Sequence, residues 1–347
     1  MRAGHTHSRR TRTRETNAMT TVTVVIPYFN GMRTIERALA SIDMQSTAPA
    51  EVIVVNDGSD SENSAFLHAL AKRQGFRVLD RPNGGQGAAR NDGIRAAATP
   101  FVCLLDQDDF YTPDHTEKLL AAASAAKSPK LGFVYSDVSR GTEAGTITVE
   151  GVIASSGLAH PLPSVRDMLA RDIMILPSSM LLHRDNILQL GGFDERFVGF
   201  EDDDLVIRCH LAGLTTAFVP ESLSVWTLNR ESASFSPRMS ESRWLFFTKL
   251  VETFLSHHEN LVGEVIAPRF VRAFLAELLL ATSKGTPAID SARDRLKAAK
   301  ALLRGAGLRI PLTLISLLNG GLLAPRFILL PLYALYSGRQ DRRRTSS

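Results

Sequence analysis

At 347 residues, with 44% hydrophobic and 22% charged content, the chain has a globular composition and enough apolar material for one substantial domain plus a smaller appendage. Much of the net charge of +4 comes from arginines at the two ends, so the body is slightly acidic and is not expected to bind nucleic acid. Two cysteines inside apolar or mixed patterns, Cys103 and Cys209, exclude a disulfide framework and any zinc spacing, and point to a reducing compartment.

Residues 1–18 are polar and lack an apolar core, so they are read as a disordered basic tail and not as a secretory signal. Met19 stands directly before the first strand and is a candidate start of translation. Val22–Pro27 reads as a buried strand followed by a Tyr28–Gly31 turn. Thr34 to Met44 carries Ile35, Leu39 and Ile42 at helical spacing. A second strand begins at Glu51 and runs into Asn56–Ser59. A helix over Ser64–Gln74, a short strand over Phe76–Leu79, a helix over Gly87–Ala98 behind a glycine-rich turn, and a strand over Phe101–Leu105 follow. Strands and helices alternating at these intervals predict a parallel α/β sheet, whose ligands gather at the carboxyl ends of the strands.

Beyond Pro113 the pattern loosens. Helix Glu117–Ala126 and strand Leu131–Asp137 precede a Gly/Thr/Ser-rich excursion from Gly141 to Gly157, read as a hairpin. A Pro177-Ser178-Ser179 turn leads into strand Met180–Leu182. An acidic helix ends at Ala212, Thr216–Val219 is a short strand, and Trp244–Phe254 and Val262–Thr282 are helical. From 308 to 336 the chain is very apolar, but Pro311, Asn319, Gly320, Gly321, Pro325, Arg326 and Pro331 break it below the ~20 residues a spanning helix needs. A peripheral membrane contact, with Arg339 to Arg344 on anionic headgroups, and a helical cap on the domain both stand.

The densest chemistry lies in Phe101 to Phe110, where an apolar strand runs into Asp106, Asp108 and Asp109. Three carboxylates within four residues repel one another and call for water or a cation. Hard oxygen donors on an open loop suit Mg²⁺ or Mn²⁺, which takes one or two carboxylates and completes its shell with substrate phosphates. A solvated acidic turn is the plainer alternative. A second cluster, Glu201-Asp202-Asp203-Asp204, opens a helix whose dipole favours negative charge; capping accounts for one or two of these residues, not four.

Five segments, Val25–Asn30, Val54–Ser59, Asn83–Asn91, Leu105–Asp109 and Phe200–Leu205, resemble the motifs of family 2 glycosyltransferases in order and spacing, over roughly 21–234. The resemblance implies a GT-A fold, a Rossmann-like, mostly parallel sheet flanked by helices, at 19–236, with a C-terminal helical extension at 237–347. It implies an inverting, metal-dependent hexosyltransferase that moves a sugar from a UDP- or dTDP-sugar to an acceptor hydroxyl, on a glycan or lipid-linked acceptor. That activity would belong to surface polysaccharide or glycolipid synthesis, in the cytoplasm or at the inner face of the plasma membrane. A non-catalytic sugar-nucleotide or glycan-binding module with the same fold is the alternative. A nucleotidyltransferase would want a basic, glycine-rich loop after the first strand, which Pro27 to Arg33 does not supply.

By the resemblance, Pro27, Phe29, Asp57, Arg90 and Asp106 bind the nucleotide. Asp106 and Asp108 hold the metal, Asp202 is the general base, and Glu201 and Asp204 hold acceptor hydroxyls or the loop itself. Each has a plainer reading: core packing for Phe29, an Asx turn for Asp57, an ion pair for Arg90. Asp109 is expected to cap the following turn. Like-charged neighbours should raise the pKa of Asp202. Two positions depart from the family pattern: Asn56 stands where an aspartate is usual, and Asn229 where many relatives carry a histidine, with Arg230 beside it.

Overall fold

The computed structural model describes residues 21–170, 173–228, 238–281 and 286–306. The tails, Asn229, Arg230 and the apolar 308–336 stretch lie outside the described residues.

The strands are β1 (Val22–Tyr28), β2 (Glu51–Asp57), β3 (Arg77–Arg81), β4 (Phe101–Leu104), β5 (Phe110–Tyr111), β6 (Leu131–Gly141), β7 (Ile147–Val149), β8 (Met180–His183) and β9 (Thr215–Thr227). The helices are α1 (Ile35–Asp43), α2 (Ser61–Gln74), α3 (Gln86–Ala96), α4 (His115–Ala126), α5 (Val165–Ala170), α6 (Arg184–Gln189), α7 (Glu201–Leu211), α8 (Arg238–Leu255), α9 (Glu259–Leu261), α10 (Ala267–Ala281) and α11 (Thr286–Gly305). One sheet holds all the strands in the order β3-β2-β1-β4-β8-β6-β9-β5, with β7 on β6.

The first half is built as the pattern predicts. β1 is buried along its whole length, which its Val and Ile residues favour, and it pairs in parallel with β2 and β4. In this register Tyr28 lies beside Asn56 and Val25 beside Leu104, so β1, β2 and β4 end at one edge, with Asp57 closing β2 and Phe29 and Asp106 in the loops just beyond β1 and β4. On α1 the buried Ile35, Ala38, Leu39 and Ile42 form the apolar stripe. α3 lies close on β1 because Gly93 faces Val25, where any Cβ would collide with the valine side chain.

After β4 the sheet changes direction. β8 runs antiparallel to β4, with Cys103 opposite Leu181, and β6 antiparallel to β8. The reason is local: the Pro177–Ser179 turn sits beside Asp106 and Asp109, so β8 starts at the edge where β1, β2 and β4 end and runs back. β9 returns parallel to β6, and β5 and β7 add antiparallel pairs. The result is a mixed sheet, parallel in its β3-β2-β1-β4 half and, beyond it, antiparallel except for the β6–β9 pair.

β9 continues well past the Pro220 at which the sequence reading stops it. The ladder slips there, pairing Ser136 with Val219 and then Asp137 with Ser222, so the proline occupies a bulge and costs no ladder bond. Helices α8 and α10 join the main core through Phe246, Phe247, Phe270 and Phe274, with Phe246 edge-on to Phe197 at 5.9 Å between centroids. Among the described residues, no helix is long and apolar enough to cross a membrane.

Candidate active site

A cleft of about 840 Å³ opens at the edge where β1, β2 and β4 end, and both acidic clusters line it. On one side stand Pro27, Phe29, Asp57, Arg90, Asp106 and Asp108; on the other Glu201, Asp202 and Asp203, with Met239, Arg243, Arg269 and Phe270 from α8 and α10.

Phe29 is 47% exposed, which excludes core packing for its ring. Its main chain is pinned by Gln107, the middle residue of Asp-x-Asp: the Phe29 N–H donates to Gln107 Oε1 at 2.9 Å, and Gln107 Nε2 donates to the Phe29 carbonyl at 3.1 Å. Asp57 is buried and receives Arg81 Nη1 at 2.5 Å together with the N–H groups of Gly84 and Gly85 at 2.9 and 2.8 Å. Three donors leave one lone pair on Oδ2 unused, and Asp57 lines the cleft. The Asn56 amide donates to Asp80 on β3 at 2.8 Å and to Ser64 at 3.0 Å. An aspartate at this position would repel Asp80, so the departure at Asn56 is matched by its neighbour and leaves Asp57 undisturbed.

Asp106 and Asp108 leave β4 on the open loop. Burial, and then the charge of Asp106, push the Asp108 carboxyl up to about 6, while Arg37 and Arg90 pull in the opposite direction. Asp109 is a buried key between three loops. It accepts from the Thr227 N–H at 2.8 Å and from Ser178 Oγ at 2.6 Å, and Ser178 Oγ accepts from the Asp106 N–H at 3.0 Å. Burial, then Asp108 and Asp106, raise the Asp109 carboxyl well above the usual range. This seat goes beyond the turn cap expected from the sequence. The carboxylates fit a divalent cation that keeps part of its shell for a ligand. Among the described residues no group of three or more His, Cys, Asp or Glu side chains is arranged to hold a metal unaided, so phosphate oxygens and water would complete the shell.

Arg90 is 1% exposed and spans the two clusters, with Nη2 on Asp106 at 2.6 Å and Nη1 on Glu201 at 2.7 Å. Burial opposes its charge, but the two carboxylates outweigh it and raise its pKa. Glu201, expected to hold the acceptor, is itself buried: one oxygen takes Arg90 and Gln86 Nε2, the other the Gly199 N–H at 2.8 Å. Its oxygens are committed to the loop, which leaves the neighbouring Asp202 to face the cleft. The Asp202 carboxyl is raised well above the ordinary range, first by burial and then by Glu201 and Asp203, so its direction is the expected one with a different leading cause. Asp204 is paired with Arg208 at 2.7 Å and Lys249 at 2.6 Å.

Sequence reasoning missed Arg37, which donates to the Asp108 carbonyl at 2.5 Å, and Ser178, whose bonds appear only once the chain is folded. An arginine on the polar side of an amphipathic helix carries no signal that separates it from a solvated one.

Residues 23–147 match the model of Glycosyl transferase family 2. Over 102 residues the chain is 42% identical to the succinoglycan biosynthesis protein ExoW of Rhizobium meliloti, covering 28% of this chain and 32% of that protein. The chain thus spans about a third of the length of the curated relatives it matches. Among solved structures, it superposes on Staphylococcus aureus TarS 1–349 in complex with UDP-GlcNAc with a TM-score of 0.59 at 18% identity, covering 87% of each chain. It superposes on the mannosyltransferase PcManGT from Pyrobaculum calidifontis, in complex with GDP-Man and Mn²⁺, with a TM-score of 0.50 at 19% identity, covering 87% of this chain. The family resemblance and the GT-A fold, with its mixed sheet and C-terminal helices, are therefore borne out.

Proposed function

We propose that this chain, a family 2 glycosyltransferase by its motifs and fold, is an inverting hexosyltransferase that moves a sugar from a UDP- or dTDP-sugar to an acceptor hydroxyl. The observation that carries this reading is the single cleft into which both Asp106/Asp108 and Asp202 open. The UDP-GlcNAc bound by TarS supports the donor class, and the name of ExoW supports an acceptor in surface polysaccharide or glycolipid synthesis, as a glycan or a lipid-linked glycan. We place the reaction in the cytoplasm or at the inner face of the plasma membrane.

In this reading Phe29 stacks on the pyrimidine and the remaining lone pair of Asp57 takes its imide N–H. Asp106 reaches the ribose, and Asp106 and Asp108 together hold Mg²⁺ or Mn²⁺. The cation, when bound, supplies the positive charge that stabilises the departing diphosphate. Arg90 holds Asp106 in place from behind. Asp202 takes the proton of the acceptor hydroxyl while its oxygen bonds to the anomeric carbon from the face opposite the nucleotide. The bond from that carbon to the diphosphate oxygen breaks, and the nucleoside diphosphate leaves with the electron pair. Glu201, through Gly199 and Arg90, positions the loop that presents Asp202.

A panel of nucleotide sugars screened by thermal shift with and without Mn²⁺ identifies the donor. With that donor, Asp108→Ala abolishes cation-dependent nucleotide binding. Asp202→Asn keeps binding and lowers turnover by about 10²- to 10⁴-fold. Nucleotide binding that survives Asp108→Ala unchanged, or full turnover in Asp202→Asn, refutes the reading.

A further inference from the structure

Arg37 reaches from α1 to the underside of the Asp-x-Asp loop and gathers three separate segments. Its Nη2 donates to the Asp108 carbonyl at 2.5 Å and to Thr227 Oγ1 at 2.9 Å, and its Nη1 donates to the Glu143 carbonyl at 2.7 Å. Thr227 closes β9, Glu143 lies in the turn between β6 and β7, and the Leu228 N–H donates to the Gly141 carbonyl at 3.1 Å, so the three segments meet under one guanidinium. The guanidinium carbon lies 4.8 Å from the centroid of the Phe110 ring, within cation–π range. These hydrogen-bond partners are two carbonyls and a hydroxyl, all neutral, and among the described residues no salt bridge joins Arg37 to a carboxylate. Arg90, by contrast, has two.

We infer that Arg37 is a positioning residue for cation-dependent donor binding: it fixes the Asp108 main chain so that the carboxylate is held toward the cleft, and it seats a full positive charge beneath a loop of three carboxylates. The inference rests on the proposed function. A planar fork suits the task, because it satisfies three acceptors on different segments at once, where an ammonium on a flexible stem holds fewer at fixed angles. Keeping its partners neutral leaves its charge to the acidic loop.

The test is calorimetric titration of the full chain with UDP, in Mn²⁺ and in EDTA, alongside melting temperature. Arg37→Met is expected to weaken UDP binding in Mn²⁺ by at least about tenfold while changing it less than about twofold in EDTA, a loss of about 1.4 kcal/mol or more confined to the cation-dependent part. Arg37→Lys keeps the charge and loses the fork, so it falls between wild type and Arg37→Met. Thr227→Val removes one of the three partners and has the smallest effect. Arg37→Met that binds like wild type in Mn²⁺ overturns the inference. So does an equal loss in Mn²⁺ and EDTA accompanied by a lower melting temperature, which marks a purely structural role. Should Arg37→Met not fold, Arg37→Lys and Thr227→Val carry the same comparison. Wild-type protein whose UDP affinity is the same in Mn²⁺ and EDTA overturns the cation-dependent donor site itself, and this inference falls with it.

Discussion

Replacing Arg90 by methionine tests the link between the two acidic clusters most directly. The guanidinium is buried and holds Asp106 at 2.6 Å and Glu201 at 2.7 Å. Two unit charges at that distance attract by roughly 6 kcal/mol at an effective dielectric constant of about 20, before the desolvation of Arg90 offsets part of it. Methionine fills much of the volume but leaves Glu201 charged in a closed seat with only Gln86 and the Gly199 N–H as donors. Breaking a buried pair in this way costs about 3–5 kcal/mol. Glu201→Gln alone costs less, since Arg90 keeps Asp106. In the double variant the stranded charge is gone, so its loss falls short of the sum by about 1–3 kcal/mol. Urea unfolding followed by circular dichroism, without nucleotide or cation, measures all three. A cost below about 1 kcal/mol for Arg90→Met, or strict additivity in the cycle, refutes the idea that this arginine binds the clusters together.

The raised Asp108 carboxyl makes stability depend on pH. Its folded value of about 6 lies above the ordinary 3.8, so between these values the folded chain holds a proton that the unfolded chain releases. That contribution, at most about 3 kcal/mol, is present below about pH 4 and is lost as pH rises through about 6. Without cation, differential scanning fluorimetry should therefore show a higher melting temperature at pH 5 than at pH 7. The upward shift caused by Mn²⁺ should be larger at pH 7, and a shift independent of pH contradicts this. Asn56→Asp brings a carboxylate against Asp80, at the 2.8 Å now spanned by a hydrogen bond. Its cost in urea unfolding should be about 1 kcal/mol, because Asp80 is half exposed, and Asp80→Asn in the same chain should restore it. Phe29→Ala should leave stability within about 0.5 kcal/mol and weaken UDP binding by about 1–3 kcal/mol in calorimetry.

The residues legible in the sequence are those whose surroundings are local. Phe29 follows β1 directly, Asp57 closes β2 and Asp106 stands just past β4, so a period-2 or continuous apolar run is enough to place them at a sheet edge. Arg90 and Glu201 are 111 positions apart, and their pairing depends on how α7 docks, which no window of sequence contains. The plain reading as an ion pair describes Arg90 well, and of the two roles the resemblance offered Glu201, acceptor or loop, its burial against Arg90 and the Gly199 N–H fits the loop. Pro220 ended the predicted β9 because a proline costs a ladder bond in a regular strand, and only the partner strand reveals the bulge that absorbs it.

The same limit explains the reversal in the sheet, and the reversal explains the cleft. A further parallel strand beside β4 would need a crossover of a dozen or more residues, usually a helix lying across a face of the sheet. β8 instead enters at the cleft edge through the Pro177–Ser179 turn, and this entry puts Ser178 under Asp106 and Asp109. The chain then returns through α6 and the Gly191–Gly199 loop to the start of α7, where the Gly199 N–H and Arg90 fix Glu201 beside Asp202, which lines the same cleft as Asp106 and Asp108. An antiparallel strand at this point therefore gives the cleft its second acidic wall, and disturbing the Ser178–Asp109 bond should move both walls together.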